Sequence, residues 1–239
     1  MRRFDVVLFD AGETLLRPEP SFPELIVKLL RDRGVEVSHD EPEWIERALS
    51  TVFRAMDDLV VNREQFSTSS ERSRAFWSQI YTRLLRELGV DDLDGAHATF
   101  LYEEFSDPKH YALFPDALPA LRELAADGYT LGIVSNFEAW LEVLLERLGV
   151  MPLMSVVVVS GTEGVEKPDA EIFRRALERV STTADRAVYV GDNPRIDVRP
   201  ALELGMGAVL VDRRGVHAGG LVERVPVVRS LEQVPAVIR

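Results

Sequence analysis

Asp10 closes the apolar run Val6-Val7-Leu8-Phe9 and is followed by Ala11-Gly12-Glu13 and the hydroxyl of Thr14. An apolar run that ends in a carboxylate and a small-residue turn predicts a buried strand with an aspartate at its C-terminal tip. Open α/β sheets bind their ligands at such tips. Ser135, Lys167 and Asp192 likewise terminate or follow later apolar runs. A hydroxyl, an ammonium and two carboxylates are the parts needed for nucleophilic attack on phosphorus beside a divalent cation.

Each residue type fits a role, and each also has a plainer reading. Asp10 can attack phosphorus and carry an aspartyl phosphate, or it can simply cap the turn after its strand. Asp192 can share Mg²⁺ with Asp10, since a hard cation takes carboxylate and phosphate oxygens, or it can cap the helix after Gly191. Lys167 is one of only three lysines in the chain. As a compact point charge it can neutralise both the nucleophile and a transferring phosphoryl group. Ser135 and Thr14 can donate to phosphoryl oxygens or serve their own turns. Asn136 divides between substrate contact and turn residue. Asp197, one helical turn beyond Asp192, can orient Lys167 or a metal-bound water, or can complement a helix dipole.

These positions need elements to hold them. Tyr129–Val134, Val156–Val159, Ala187–Val190 and Ala208–Val211 read as strands, alternating with helical patterns over 117–127, 138–148, 170–180 and 199–204. That alternation predicts right-handed crossovers and a Rossmann-like parallel sheet with helices on both faces. The strand ending at Asp10 belongs to it. Between Ser21 and Phe105 the texture is helical instead. Pro23 opens one pattern that Gly34 ends, 41–59 and 75–88 carry two more, and 97–105 a fourth. The expected organisation is an α/β core over 1–16 and 115–239 with an all-helical insertion over 17–114.

Composition narrows the classes. The 239 residues are 46% hydrophobic, enough for a substantial core. The absence of cysteine excludes disulfides and thiol catalysis and fits a reducing cytoplasm. The run from Val6 to Phe9 is too short for a signal peptide or membrane span. With 28 Lys+Arg against 40 Asp+Glu the net charge is −12, which disfavours nucleic acid and anionic membrane as partners. A small phosphorylated metabolite would need local positive charge or a metal. Oligomeric state has no signature here.

The ordered motifs resemble those of the haloacid dehalogenase (HAD) superfamily, in the subgroup with a helical cap inserted after the first motif. Asp10-x-x-x-Thr14 resembles its nucleophile motif and Ser135-Asn136 its second. Lys167-Pro168-Asp169 with Ile172-Phe173 resembles its third. Gly191-Asp192-x-x-x-x-Asp197, then Ala201 and Gly205-Met206, resembles its acidic fourth. The resemblance implies a Mg²⁺-dependent hydrolase acting through an aspartyl phosphate, with Asp10, the Gly12 carbonyl and Asp192 around the metal.

Gly12 departs from the phosphatase pattern, in which the position two after the nucleophile is a second aspartate. That residue protonates the leaving group and then activates water. Glycine can do neither. Glu13 is a candidate substitute, but side chains at adjacent positions diverge, and an exposed turn residue is its plainer reading. The expectation is a phosphatase or phosphotransferase with slow phosphoenzyme breakdown. Three alternatives stand beside it: a catalytically impaired member that binds a phosphorylated ligand or partner, a 2-haloacid dehalogenase, and a C–P bond hydrolase. Gly191-Asp192 argues against the metal-free dehalogenase. The C–P hydrolase needs a cap lysine, and only Lys28 and Lys109 are on offer. Substrate selection is expected in the insertion, foremost in Asn62–Trp77, where arginines, hydroxyls and aromatics mix. Trp44 reads as core, and the four histidines carry no assigned role.

Overall fold

Strand β1 (Val6–Phe9) has no polar side chain and is buried on both sides, as expected of a central parallel strand. The computed structural model describes residues 3–37, 41–61, 65–216 and 225–239. Around β1 lie β4 (Thr130–Ser135), β5 (Val156–Val159), β6 (Ala187–Gly191), β7 (Gly207–Val211) and β8 (Val227–Val228), in the order β5-β4-β1-β6-β7-β8. Every pairing is parallel.

Alternation along these strands divides the core in two. Val7, Phe9, Leu131, Ile133, Val188, Val190, Val209 and Val211 face one side. They pack against α5 (Ala117–Ala126), α6 (Leu141–Arg147) and α10 (Val234–Ile238). Val6, Leu8, Val134, Val158, Tyr189 and Leu210 face the other side, against α8 (Ala170–Arg179) and α9 (Arg199–Glu203). The predicted parallel sheet with helices on both faces is therefore present.

The helical stretch follows a strand too short to read from sequence. β2 (Leu16–Pro18) pairs antiparallel with β3 (Tyr111–Leu113), so the chain enters and leaves this stretch through one small ribbon. Between them run α1 (Phe22–Asp32), α2 (Pro42–Val61), α3 (Ser70–Glu87) and α4 (Ala96–Phe105). Leu25, Ile26, Leu30, Leu49, Val52, Leu84 and Leu101 form their common core. Ser69 caps α3 by accepting from the Arg72 N–H at 3.2 Å, which starts the helix five residues before the predicted Ala75.

Two more boundaries differ from expectation for tertiary reasons. The helix expected from Glu138 begins at Leu141, because Asn136 and Phe137 are bonded elsewhere. The Phe137 N–H donates to Ser160 Oγ at 3.0 Å, and its carbonyl accepts from the Gly161 N–H at 3.0 Å. The short α7 (Ser160–Glu163) was not anticipated; four residues are too few for a visible helical period. No helix among the described residues is long and apolar enough to cross a membrane.

Gly132 shows how closely the strands pack. A Cβ there would lie 2.4 Å from Val156 Cγ1 and 2.8 Å from Leu8 Cδ2. Both are held on neighbouring strands, so the sheet must shift to admit a methyl group. Gly132→Ala is expected to lower unfolding free energy by about 1–3 kcal/mol, read as a reduced urea midpoint. An unchanged midpoint would show that this side of the sheet has slack.

Candidate active site

The strand tips bring the sequence candidates together. The Asp10 N–H donates to the Val190 carbonyl at 2.9 Å, which fixes Asp10 beside the end of β6. Its side chain lies between donors from two other tips. Asp10 Oδ1 accepts from Ser135 Oγ at 2.9 Å and from Lys167 Nζ at 2.7 Å. Oδ1 is committed twice, and Oδ2 is the oxygen left for attack or for a cation.

Lys167 is 1% exposed. Its ammonium donates to Asp10 Oδ1 and Asp197 Oδ1, each at 2.7 Å, and to the Tyr189 hydroxyl at 3.0 Å. An ammonium has three N–H bonds, and here three acceptors take them. Burial alone would lower the Lys167 pKa, but Asp10 and Asp197 more than reverse this and hold the ammonium charged. Tyr189 passes its own proton to the Val134 carbonyl at 2.6 Å. Burial first, then Asp197 and Asp10, raise its pKa well above the ordinary value, so the phenol stays neutral.

Asn136 works on the backbone of the same lysine. Its Oδ1 accepts from the Lys167 N–H at 2.6 Å, and its Nδ2 donates to the Lys167 carbonyl at 2.8 Å. Asp197 accepts from Lys167 through Oδ1 and from the Asn193 N–H through Oδ2 at 3.0 Å. A Cβ at Gly191 would come within 2.5 Å of Asp197 Oδ2, so glycine lets that carboxylate lie against the strand end. Thr14 Oγ1 donates to Asp192 Oδ1 at 3.5 Å.

Asp10, Asp192 and Asp197 each offer one carboxylate oxygen, all within 4.8 Å of one another. Asp197 is engaged through both oxygens, so Asp10 and Asp192 are the pair that could hold a cation. An all-oxygen donor set with few protein ligands suits a hard divalent ion that retains water. Electrostatics agree. Burial, then Asp197 and Asp10, push the Asp192 carboxyl well above its usual range. Asp197 is raised as well, chiefly by burial, with Lys167 holding it back. One ammonium cannot neutralise three carboxylates, and a divalent ion would supply what is missing.

A Cβ on Gly12 would meet nothing within 4 Å. Glu13, next to it, adopts φ 55°, a left-handed conformation uncommon for a residue with a side chain. Its side chain reaches solvent. Partial enclosure of its carboxyl, with a smaller push from Asp10, raises its pKa against the pull of Arg214, Arg213 and Arg17.

Within the expected recognition segment, Asn62, Arg63 and Glu64 lie outside the described residues. Arg72 bonds Gln65 and Thr68 within its own surface turn, and Phe76 and Trp77 join an aromatic cluster with Phe66 and Tyr81. Trp44 is partly buried against the helical core and donates to the Glu87 carbonyl at 3.0 Å. Lys28 pairs with Asp32, and Lys109 with Glu104 and Asp107, all at the surface. His39 and His217 lie outside the described residues.

Sequence reasoning passed over Tyr189, Glu138 and Glu166. Tyr189 sits inside an otherwise apolar strand, and a phenol there is the one visible sign of a polar partner below the tips. Glu166 had no signal beyond its adjacency to Lys167.

Residues 4–205 match the family described as haloacid dehalogenase-like hydrolase. The haloacid dehalogenase-like hydrolase domain-containing protein 3 of Danio rerio is 29% identical over 233 residues, 96% of this chain and 94% of that protein. A phosphoserine phosphatase of Thermus thermophilus is 29% identical over 228 residues, 87% and 88% of the two chains. A glyceraldehyde 3-phosphate phosphatase of Methanopyrus kandleri is 29% identical over 219 residues, 88% and 84%. Among solved structures, the magnesium-bound HAD-hydrolase YfnB of Bacillus subtilis shares the fold. Its TM-score is 0.76 at 21% identity, over the whole of both chains.

The raised Asp192 carboxyl has a signed consequence. An aspartate whose folded pKa exceeds its unfolded value holds more protons folded than unfolded, so stability falls as pH rises through that interval. The interval begins near the unfolded value of about 4, and the penalty is fully present above the folded value. Asp192→Asn is expected to raise the urea midpoint of metal-free protein at neutral pH and to change it little near pH 4. Magnesium at about 100 times its Kd should add about 2.7 kcal/mol to the natural sequence and far less to the variant. Equal midpoints at neutral pH, or equal gains with magnesium, would take Asp192 out of the cation site.

Proposed function

Because the chain belongs to the haloacid dehalogenase-like hydrolase family, we propose that it is a Mg²⁺-dependent phosphatase of small phosphorylated metabolites. It works through an aspartyl phosphate on Asp10. The observation that carries this reading is the split use of the Asp10 carboxylate. Ser135 and Lys167 hold Oδ1 at 2.9 and 2.7 Å, which orients Oδ2 as the attacking oxygen. Two relatives named for phosphoserine and for glyceraldehyde 3-phosphate support the substrate class.

Asp10, Asp192 and the Gly12 carbonyl would hold magnesium, which when bound would screen the charge between nucleophile and phosphate. In the first step Asp10 Oδ2 forms a bond to phosphorus as the ester P–O bond breaks, and the bonding electrons leave with the alcohol oxygen. Lys167 stays protonated beside the new acyl phosphate, and Ser135 and Thr14 would donate to phosphoryl oxygens by turning their single hydroxyl protons from Asp10 and Asp192. Asn136 keeps the Lys167 backbone in place, and Asp197 keeps the ammonium aimed at Asp10. In the second step water attacks phosphorus, and Asp10 regains its carboxylate as inorganic phosphate departs. We read residues 17–114 as a helical cap over a core of 1–16 and 115–239, and place substrate selection in that cap.

Gly12 sets the rate. Without a carboxyl at this position the departing alkoxide takes its proton from solvent, and the hydrolytic water loses none to a positioned base. General acid–base help is worth about 10²–10⁴-fold, so this enzyme is slow rather than inert. The dehalogenase reading is weakened by Asp192, which would place a second carboxylate at a site that binds an anionic substrate. The C–P hydrolase reading is weakened by the surface ion pairs of Lys28 and Lys109.

Rapid mixing with p-nitrophenyl phosphate tests the pathway, because its leaving group needs almost no protonation. A Mg²⁺-dependent burst of p-nitrophenol, absent in Asp10→Asn, is expected before a slow steady state. Neither burst nor turnover in Mg²⁺-bound protein would favour a binding-only member. The space at Gly12 admits a side chain, so Gly12→Asp is expected to raise steady-state turnover at least about tenfold. A folded, Mg²⁺-bound Gly12→Asp protein with no gain would refute the assigned bottleneck.

A further inference from the structure

Each of three loops that carry site residues also carries a neighbour that touches the helical layer. Beside Asp197, Ile196 packs against the helical core, and Arg195 pairs with Asp58 at 2.7 Å. Beyond Asn136, Glu138 accepts from Ser73 Oγ at 2.9 Å and from the Tyr102 hydroxyl at 3.2 Å. Immediately before Lys167, Glu166 is 5% exposed and faces residues 66 and 67.

The Glu166 contact is the most fully built of the three. Its Oε1 accepts from the Phe66 N–H at 3.0 Å. Its Oε2 accepts from the Ser67 N–H at 2.7 Å and from Ser67 Oγ at 2.6 Å. Ser67 Oγ also lies 2.6 Å from Ser160 Oγ, which accepts the Phe137 N–H at 3.0 Å. The carboxylate is thus satisfied by amides and a hydroxyl of the helical layer, in short charge-assisted bonds. Those donors leave when the layer lifts.

The backbone of 166–167 serves both contacts. Asn136 clamps the Lys167 peptide groups, Lys167 extends to Asp10, and Glu166 extends to the layer above. We propose that Glu166 is a positioning residue that docks the turn at 66–67 onto the loop carrying Lys167. Seating the helical layer and holding the ammonium beside Asp10 are then one event. The inference rests on reading Asp10 and Lys167 as a phosphoryl-transfer site. It goes beyond that reading by naming the contact through which the helical layer governs the site.

The test uses the full chain with Mg²⁺, orthovanadate as the phosphate-shaped probe, and Glu166→Ala beside Glu166→Gln. Amide hydrogen exchange at Phe66 and Ser67 is expected to accelerate at least about tenfold in the alanine variant, with β1 and β4 amides unchanged. KM for p-nitrophenyl phosphate should rise by a similar factor while burst amplitude is retained. Glutamine keeps one acceptor oxygen and should fall between. Ser67→Ala, which leaves the carboxylate and both amides in place, should shift both readouts in the same direction and carries the test where alanine at 166 does not fold. Unchanged exchange and KM in a folded variant overturn the proposal, as does a fall in kcat with Phe66 and Ser67 still protected. Faster exchange in variants when no protein turns over substrate upholds the docking and removes the phosphatase reading alone.

Discussion

One buried ammonium sets the terms for the whole site. An unpaired charge as enclosed as Lys167 would cost several kcal/mol, so its surroundings must be built to match it. Asp10, Asp197 and Tyr189 take its three protons, and Tyr189 can accept because its own proton goes to Val134. A guanidinium could not satisfy this geometry, since its planar fork needs acceptors in a plane. The same arrangement leaves a charge mismatch. Three carboxylates crowd one cation, and the raised Asp192 carboxyl registers the mismatch. Together with burial, that mismatch is what a bound divalent ion would relieve.

The parallel sheet makes that crowding possible. Phe9 sits level with Ile133 on one side and Val190 on the other. Asp10 therefore leaves β1 one residue short of the level of Ser135 and Asp192, at the ends of the two adjacent strands. Lys167 arrives from farther along the sheet edge, after β5 and α7, and needs the Asn136 clamp to bring it across. The loops that make these tips also form the floor beneath the helical layer. Any movement of that layer is felt where Glu138, Glu166 and Ile196 meet it.

How much of this was legible follows from which signals are local. The five main strands and their parallel type came through because buried parallel strands are continuous apolar runs, and the tips could be read because a polar residue ends each run. Asp10, Ser135, Lys167 and Asp197 meet as their positions suggested. The β2–β3 ribbon was invisible because three residues and a proline make no pattern. Helix α6 begins late because Asn136 and Phe137 are held by Lys167 and Ser160, contacts 31 and 23 residues away in sequence. Glu166 gave no signal because its partners lie about 100 residues earlier. Sequence locates side chains at tips well, and pairings between distant loops poorly.

Gly12 separates the two chemical steps in a way the open space makes concrete. Among the described residues nothing lies within 4 Å of where a Cβ at this position would be, so the space beside the backbone is open. For the first step the loss scales with the basicity of the leaving oxygen, and an acidic alcohol hardly notices it. For the second step the leaving group is always the Asp10 carboxylate, so the loss falls on the activation of water whatever the substrate was. On the proposed pathway, improving the substrate would speed phosphorylation without relieving hydrolysis, and the phosphorylated form would accumulate. An acceptor other than water could then take that phosphate, and the space beside Gly12 is where it would have to reach Asp10.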